Sequence, residues 1–112
     1  SIHSASPGQL VIALYDGAVA AAARAYEAHL VGDIEARGLN IDKAQAIIAE
    51  LISSLDFEVD SELCERLLNI YLYISRRLFD AVLHNTPEGL LEACKLLKEL
   101  RAAWAQVEAT GR

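Results

Sequence analysis

The stretch 60–85, DSELCERLLNIYLYISRRLFDAVLHN, carries two apolar stripes at the spacing of a helix. In one stripe the residues lie three and four positions apart, which is typical of a helix that faces a core. Its members are Leu63, Leu67, Ile70, Ile74, Leu78 and Ala81. The second stripe falls on roughly the opposite side of the helical wheel, and its members are Leu68, Leu72, Phe79 and Leu83. A helix with two apolar faces buries one of them in the core of its domain, so the other needs a second partner to shield it from water.

The length of the chain limits what that second partner is. A sequence of 112 residues makes about four helices around one core, with no second layer. Apolar residues make up 54% of the sequence, which is enough for one compact domain spanning 1–112. The second stripe therefore predicts a surface that binds a partner or an interface between two copies of the chain.

The charge of the sequence excludes some classes of partner. The formal net charge is -6, and the Lys and Arg residues are scattered rather than clustered, so nucleic acids and anionic membranes are poor partners. No apolar run approaches the roughly 20 residues of a membrane span, and no charged leader with a cleavage site opens the chain. We expect a cytoplasmic protein that does not insert into a membrane.

Four helices are predicted, at about 7–31, 34–55, 61–84 and 87–107. The connections between them are short, which forces neighbouring helices to be antiparallel. The predicted fold class is therefore all-α, and the predicted architecture is an antiparallel up-down-up-down four-helix bundle.

Capping residues mark the helix starts. Ser6 is the expected N-cap of the first helix, with Pro7 at a position where a missing N–H costs nothing. Gly32 ends that helix and Asp33 caps the second, which we expect to be loosened around 38–40.

Helix 3 is capped by Asp60 or Ser61, and helix 4 by Thr86 ahead of a proline. We expect the tail 109–112 to fray. The predicted core stripes of the other helices are Val11, Tyr15, Ala18, Ala22 and His29 on helix 1, Ile34, Ile41, Ala44, Ile48, Leu51 and Leu55 on helix 2, and Leu90, Ala93, Leu97, Leu100, Trp104 and Val107 on helix 4.

The two cysteines are not predicted to pair. Cys64 and Cys94 lie on helices 3 and 4, and in an antiparallel pair they are roughly 20 Å apart along the helix axis. Both are better interpreted as small buried or half-buried apolar residues in a reducing compartment.

The sequence lacks the motifs of an active site. There is no Glu-x-x-His pair for a di-iron bundle, no Gly-rich phosphate loop and no nucleophile elbow. His3, His29 and His84 lie in separate contexts, and we interpret Asp80 with His84, one turn apart, as a contact on the solvent side. We therefore predict no catalytic residues, no cofactor, no metal site and no enzymatic activity.

Four segments in register resemble the flagellin-specific secretion chaperone family, FliS. They are SASPGQLVIALYDGA at 4–18, NIDKAQAIIAELISSLDFEV at 40–59, IYLYISRRLFDA at 70–81 and LLKELRAAW at 96–104. The resemblance covers nearly the whole chain. It implies a cytosolic four-helix bundle that binds the disordered C-terminal segment of flagellin, prevents premature polymerisation and aids delivery to the export gate of the flagellar type III secretion apparatus.

The second stripe of helix 3 is our first choice for the surface that binds this client. Leu68, Leu72, Phe79 and Leu83 are the predicted anchors, with Ile12 and Val19 as a secondary patch and Tyr73 at the rim, where a phenol suits a half-wet position. An extended client that orders on binding needs many spread contacts, so we expect a long footprint.

Other residues match characteristic positions of the family but are expected to set the bundle rather than touch the client. They are Leu14, Tyr15, Ile48, Leu51, Tyr71, Leu78 and Trp104. The resemblance departs at the front, because family members usually carry a longer segment with a tyrosine ahead of the first helix, whereas 1–5 alone precede it here. Without such a segment we expect the client-binding surface to be open and the protein to be prone to weak homodimerisation.

Two alternatives stay open. The apolar stripe on helix 3 would serve equally in a structural homodimer or adaptor without a client. A histidine phosphotransfer module is the weaker alternative, because neither His29 nor His84 has a lysine within a helical turn.

Overall fold

The computed structural model describes residues 5–111, and four α-helices account for most of that range. They are α1 (Pro7–Leu30), α2 (Ile34–Ser53), α3 (Ser61–His84) and α4 (Glu88–Thr110). The all-α prediction is confirmed. The boundaries agree closely with the predicted ones, although α2 ends before Leu55 and α4 continues past Val107. Helical structure through Thr110 contradicts the expected fraying at 109 and 110. Gly111 lies outside the helix as its C-cap, and Arg112 falls outside the described residues.

The predicted cap of α1 is confirmed in detail. The Ser6 hydroxyl accepts a hydrogen bond from the Gln9 backbone N–H at 3.2 Å, and the Gln9 side chain accepts one from the Ser6 N–H at 2.9 Å. This reciprocal pair is a capping box, which satisfies two otherwise orphaned donors.

The turn between α1 and α2 also follows the prediction. Gly32 has a φ of 75°, a left-handed conformation that glycine adopts at little cost. Asp33 then caps α2 by accepting from the Ala36 N–H at 3.0 Å. The expected weakness around 38–40 is wrong, because α2 is continuous there; its packing against the bundle compensates for the low helix propensity of Gly38.

At the other two helix starts one prediction holds and one fails. Asp60 caps α3 by accepting from the Leu63 N–H at 3.0 Å. Thr86 does not cap α4: the N-cap is Pro87, and no side chain makes a capping bond there. The Thr86 N–H instead closes the α3 C-terminus by donating to the Ala81 carbonyl, so the residue belongs to the end of α3 rather than to the start of α4.

Contacts between helix ends establish the antiparallel order. The start of α1 meets the end of α4, where Ser6 donates to Glu108 at 3.0 Å. The start of α2 meets the end of α3, where Arg37 donates to Asn85 at 2.6 Å. In the described part of the chain, no Cα atoms of α1 and α3, or of α2 and α4, lie within 8 Å. The helices therefore occupy the corners of a square, in up-down-up-down order.

The core runs along the inside of this square. Alanines dominate the α1 contribution and allow α2 and α4 to approach α1 closely, whereas α3 contributes larger side chains. The largest fully buried side chains are Tyr15, Tyr71, Ile48, Leu51, Ile74, Leu78, Leu90 and Leu97. Cys64 is buried and Cys94 half-buried, both as free thiols.

The core stripe of α3 differs from the prediction in its first half. Leu63 and Ile70 are exposed, while Cys64 and Tyr71 are buried in their place. The buried residues then alternate at spacings of three and four along the whole helix, which keeps one seam facing the bundle. A hydropathy pattern favours Ile70 over Tyr71, but the Tyr71 hydroxyl finds a buried partner in Tyr15, and that removes the cost of burying it.

Three further core predictions, all near helix ends, are wrong. Ile34 and Val107 are exposed, and they lie in the first turn of α2 and the last turn of α4. His29 is half-buried and its Nδ1 lies 3.1 Å from Arg37 Nη1.

The expected contact of Asp80 with His84 is replaced by an ion pair of Asp80 with Arg77 at 3.2 Å, because the guanidinium lies on the same side one turn earlier.

Candidate functional site

A large apolar groove opens at the end of the bundle where α1 starts and α4 ends. Its volume is about 900 Å³, and it lies between the first turns of α1, the 54–60 connection and the start of α3. We call it the end groove. Its larger apolar lining residues are Leu10, Val11, Leu14, Leu55, Val59, Leu63, Leu67, Tyr71 and Trp104.

The walls of the end groove are partly exposed apolar residues. Leu10 on α1 is 56% exposed and Leu63 on α3 is 46% exposed, and both line the groove. Beneath them Leu67 and Tyr71 are buried and form the floor. A deep apolar floor with open apolar walls is what an apolar segment of a partner requires.

The rim of the end groove is acidic. Glu50, Asp56 and Asp60 line it, and Asp60 is held in place by its capping bond to α3. A partner segment that enters this groove is therefore favoured when its polar side chains are neutral or basic.

A second apolar cleft runs between α3 and α4 and joins the end groove. It consists of two adjoining cavities of about 220 and 450 Å³ that share Leu100. Leu63, Leu67 and Trp104 line both the end groove and the nearer cavity. Together these cavities form one apolar track around the first half of α3.

Polar contacts fix the far end of this α3/α4 cleft. Glu92 on α4 accepts from the Tyr73 hydroxyl at 2.6 Å and from Arg77 Nε at 2.7 Å. The bond from Tyr73, followed by that from Arg77, holds the pKa of Glu92 below its ordinary value. The bond to Glu92 in turn raises the pKa of Tyr73, so at neutral pH Glu92 stays ionised and Tyr73 stays protonated. We call the two bonds that Glu92 accepts, from Tyr73 and Arg77, the Glu92 clamp.

The predicted anchors on α3 lie on a different flank. Ser75 hydrogen-bonds to Gln45 at 2.7 Å and so marks the side of α3 that faces α2. Leu68 and Leu72 lie seven and three residues before Ser75, and Phe79 and Leu83 lie four and eight residues after it. At these helical spacings the four anchors share the face of α3 on which Ser75 lies. Leu72, Phe79 and Leu83 are exposed and Leu68 is half-buried, so this face lies largely outside the core, and its binding of a partner stays a prediction.

The remaining predicted site residues are not brought together with those anchors. Tyr73 faces α4, where it donates to Glu92. Ile12 and Val19 flank Asp16, which pairs with Arg101 of α4 at 2.8 Å, and they lie on the side of α1 that faces α4. Because α1 and α3 are diagonal in the bundle, this secondary patch and the α3 stripe are separate surfaces.

The end groove is the main feature that sequence analysis missed. Leu63 was assigned to the core but lines the groove, and Leu14 and Trp104, which pack against the core as predicted, line the groove as well. Tyr15, Ile48, Leu51, Tyr71 and Leu78, which were also assigned to the bundle, are buried as predicted. One usable signal was that apolar stripes continue to helix ends where few neighbours remain to cover them.

Metal and membrane sites were searched in the range that the structure covers. Between residues 5 and 111, no three His, Cys, Asp or Glu side chains are grouped so that they could hold a metal ion. None of the helices in this range combines the length and the apolar character of a membrane span.

Comparison with known proteins gives a consistent family. A family model described as flagellar protein FliS matches residues 1–111. The flagellar secretion chaperone FliS of Salmonella typhimurium is 38% identical over 108 residues, which cover 96% of this chain and 80% of that protein. The FliS proteins of Escherichia coli and Bacillus subtilis are 35% and 34% identical, and each match covers 95% of this chain and 79% or 78% of the relative. The chain therefore belongs to the FliS family of flagellar secretion chaperones.

Proposed function

We propose that this protein is a cytoplasmic export chaperone that binds the disordered C-terminal segment of flagellin on its apolar surfaces. Covering that segment keeps flagellin subunits from polymerising early, and the complex is delivered to the export gate of the flagellar secretion apparatus. The family is one of chaperones rather than enzymes, and the proposed role needs binding alone.

The observation that carries this proposal is the continuous apolar track formed by the end groove and the α3/α4 cleft. Its length suits an extended, partly helical chain better than a small molecule, because its cavities follow one another along α3. We place the first contacts of the client at Leu63, Leu67 and Trp104, where the cavities meet.

The exposed stripe of α3 extends the proposed client surface onto the α2 flank. Leu68, Leu72, Phe79 and Leu83 offer a row of apolar side chains at helical spacing, and a client helix could lie along them. Ile12, Val19 and Tyr73 stay candidates for peripheral contacts. A footprint spread over several surfaces fits a client that must offset the entropy lost on ordering.

The test is isothermal titration of the protein with a peptide that covers the C-terminal few tens of residues of a flagellin. We expect one-to-one binding with a large negative heat-capacity change, because apolar surface is buried on both partners. Binding with a heat-capacity change near zero would contradict an apolar site. If the folded protein does not bind the peptide, the proposal that flagellin is its client is wrong.

The same exposed α3 stripe supports the competing homodimer. Sedimentation of the protein alone and with the peptide separates the two. A chaperone whose open surface self-associates weakly loses the dimer when peptide is added, whereas a structural dimer persists at the same concentration.

A further inference from the structure

Arg37 is the one charged side chain that is buried in the range 5–111, with only 7% of its surface exposed. In that range no carboxylate lies within ion-pair distance of its guanidinium. A buried cation without a counter-ion costs several kcal/mol of desolvation. The position of Arg37 therefore needs an explanation that the bundle fold does not supply.

The partners of Arg37 are neutral. Its Nη1 donates to the Asn85 side-chain oxygen at 2.6 Å and lies 3.1 Å from His29 Nδ1. Its Nε is buried with no hydrogen-bond partner. The C-terminal ends of α1 and α3, which carry His29 and Asn85, contribute partial negative charge, but about 0.3–1 kcal/mol each is less than the cost of burial.

A small cavity of about 180 Å³ opens beside this guanidinium, at the end of the bundle opposite the end groove. Since Arg37 donates to both Nδ1 of His29 and Oδ1 of Asn85, the hydrogens that those two side chains still offer belong to His29 Nε2 and Asn85 Nδ2. The acid in the cavity wall, Asp33, is engaged by the Ala36 N–H. The free polar groups of Arg37, His29 and Asn85 are therefore donors, which suit an acceptor with negative charge, while Asp33 keeps one carboxylate oxygen, Oδ2, outside its capping bond.

The surroundings narrow the class of anion. Ile34 lines the cavity and is 68% exposed, and Val31, which precedes the lining residue Gly32 in the chain, is 80% exposed, so a ligand that binds here also meets apolar surface. The carboxylate of Asp33 in the wall and the net charge of -6 disfavour a dianion such as phosphate. A single carboxylate next to apolar side chains fits both features.

The backbone excludes one source of that carboxylate. The N–H groups of the lining residues Gly32, Asp33, Ile34, Arg37 and Asn85 are all hydrogen-bonded within the chain. Capture of a chain terminus usually relies on free backbone N–H groups, and the cavity offers side-chain donors in their place. An Asp or Glu side chain of a partner meets this requirement.

We propose that the cavity formed by His29, Arg37 and Asn85 is a docking site for an acidic side chain of a partner polypeptide, flanked by apolar residues that contact Val31 and Ile34. The site is separate from the track proposed for flagellin and goes beyond that function. It gives the bundle a second attachment point, at the end where α1 and α3 finish and α2 begins.

The test uses two short peptides with blocked ends, acetyl-Val-Glu-Leu-amide and acetyl-Val-Gln-Leu-amide, titrated into isotopically labelled protein at constant ionic strength. Nuclear magnetic resonance reports the Arg37 Nε–H and Asn85 side-chain signals. We expect a saturable shift with the Glu peptide and binding weaker by about tenfold or more with the Gln peptide, because a charge-assisted bond is lost. Equal binding of the two peptides, or no saturable shift, overturns the proposal.

Two further arms identify the source of the anion. The Gln peptide with a free C-terminus presents a terminal carboxylate, and inorganic phosphate presents a dianion. Either one binding as tightly as the Glu peptide overturns the assignment to an acidic side chain.

Asn85→Asp is the matched variant, because it places a carboxylate inside the chain next to Arg37 with little change in shape. We expect this variant to keep the fold, raise the melting temperature and lose binding of the Glu peptide. Retained binding in a folded Asn85→Asp protein contradicts the site. Arg37→Lys, which keeps the charge but not the geometry, should weaken binding by about tenfold, and undiminished binding in it contradicts the role of the guanidinium.

Discussion

The hydroxyl groups of Tyr15 and Tyr71 hydrogen-bond to each other across the diagonal of the bundle, with both rings buried. Their ring centroids lie 6.4 Å apart, although the backbones of α1 and α3 are not neighbours. Burial raises the pKa of both phenols, so the pair stays protonated over the working range of pH. It links the two helices that the square arrangement keeps apart, just below the end groove.

Tyr71→Phe should lower the free energy of unfolding by about 1–2 kcal/mol, because it leaves the Tyr15 hydroxyl buried without this partner. The double variant Tyr15→Phe with Tyr71→Phe should cost less than the sum of the single changes. Urea unfolding measures both. Tyr26→Phe, on the same helix as Tyr15 but outside this pair, is the control, and additive effects of the two buried changes would argue against their coupling.

Two helix-3 substitutions separate the core from the open stripe. Ile74→Asp should cost about 4 kcal/mol or more, because Ile74 is fully buried and an unpaired charge there is strongly unfavourable. Phe79→Asp should change stability by less than about 1 kcal/mol, since Phe79 is 57% exposed. Thermal melting followed by circular dichroism checks this, and an unfolded Phe79→Asp protein would show that the second stripe is structural.

Binding of the flagellin peptide should distinguish the two proposed client surfaces. Leu63→Asp, at the junction of the apolar cavities, should weaken binding by about 2 kcal/mol or more, and Leu72→Asp tests the α3 stripe in the same way. Leu91→Asp on α4 is the control, because Leu91 is 48% exposed and lines none of the cavities that form the track. Titration calorimetry of the three folded variants with the flagellin peptide measures how much each substitution weakens binding. Equal weakening in all of them would indicate a charge effect rather than a site.

Two glycine substitutions should shift stability in opposite directions. Gly32→Ala forces a side chain into a left-handed conformation and should cost about 1 kcal/mol. Gly38→Ala lies inside α2 with no atoms near the added carbon, and should stabilise by about 0.5–1 kcal/mol. Chemical denaturation of both variants is the measurement, and a stabilising Gly32→Ala would show that the turn does not require its positive φ.

The Glu92 clamp predicts a pH-dependent contribution to stability. The pKa of Glu92 is lower in the folded protein than its ordinary value of 4.5, so its contribution is present above that value and is lost as the pH falls through the lower folded value. The melting-temperature difference between the native protein and Glu92→Gln should therefore be steady from neutral pH to about 4.5 and shrink below it.

Glu65→Gln is the matched control for this pH series. It makes the same change in charge on exposed α3 surface, where Glu65 has no hydrogen bond or ion pair with the described residues. A pH dependence of Glu65→Gln as steep as that of Glu92→Gln would attribute the effect to net charge rather than to the bonds from Tyr73 and Arg77.

Local rules predicted the parts of the fold that depend on neighbours in sequence. The capping box of Ser6 and Gln9, the left-handed Gly32 and the Asp33 cap depend on bonds a few residues long, and they form as predicted. Thr86 shows the limit of such rules, because the α3 C-terminus claims its N–H and the proline behind it becomes the cap of α4.

Periodicity placed the α3 stripes on opposite sides of the helix but could not set the exact rotation of the core seam. Tyr71 displaced Ile70 because its buried hydroxyl is satisfied by Tyr15 on another helix. Cys64 took the place of Leu63 on the same seam, and its Sγ donates to the Asp56 carbonyl. That displacement moved Leu63 from the predicted core to the wall of the end groove, which is why the main apolar track was missed while the outer stripe of α3 was found.

The sequence by itself determined the four helices, their order and the presence of excess apolar surface, because periodicity, caps and short connections act over one or two helical turns. Only the tertiary structure decided where that surface collects, since the end groove joins residues from α1, α3 and α4 that are far apart in the chain. The burial of Arg37 between His29 and Asn85 is of the same kind. Arg37 is buried only where the ends of α1 and α3 meet the start of α2, so the sequence alone does not show that its guanidinium lacks a counter-ion.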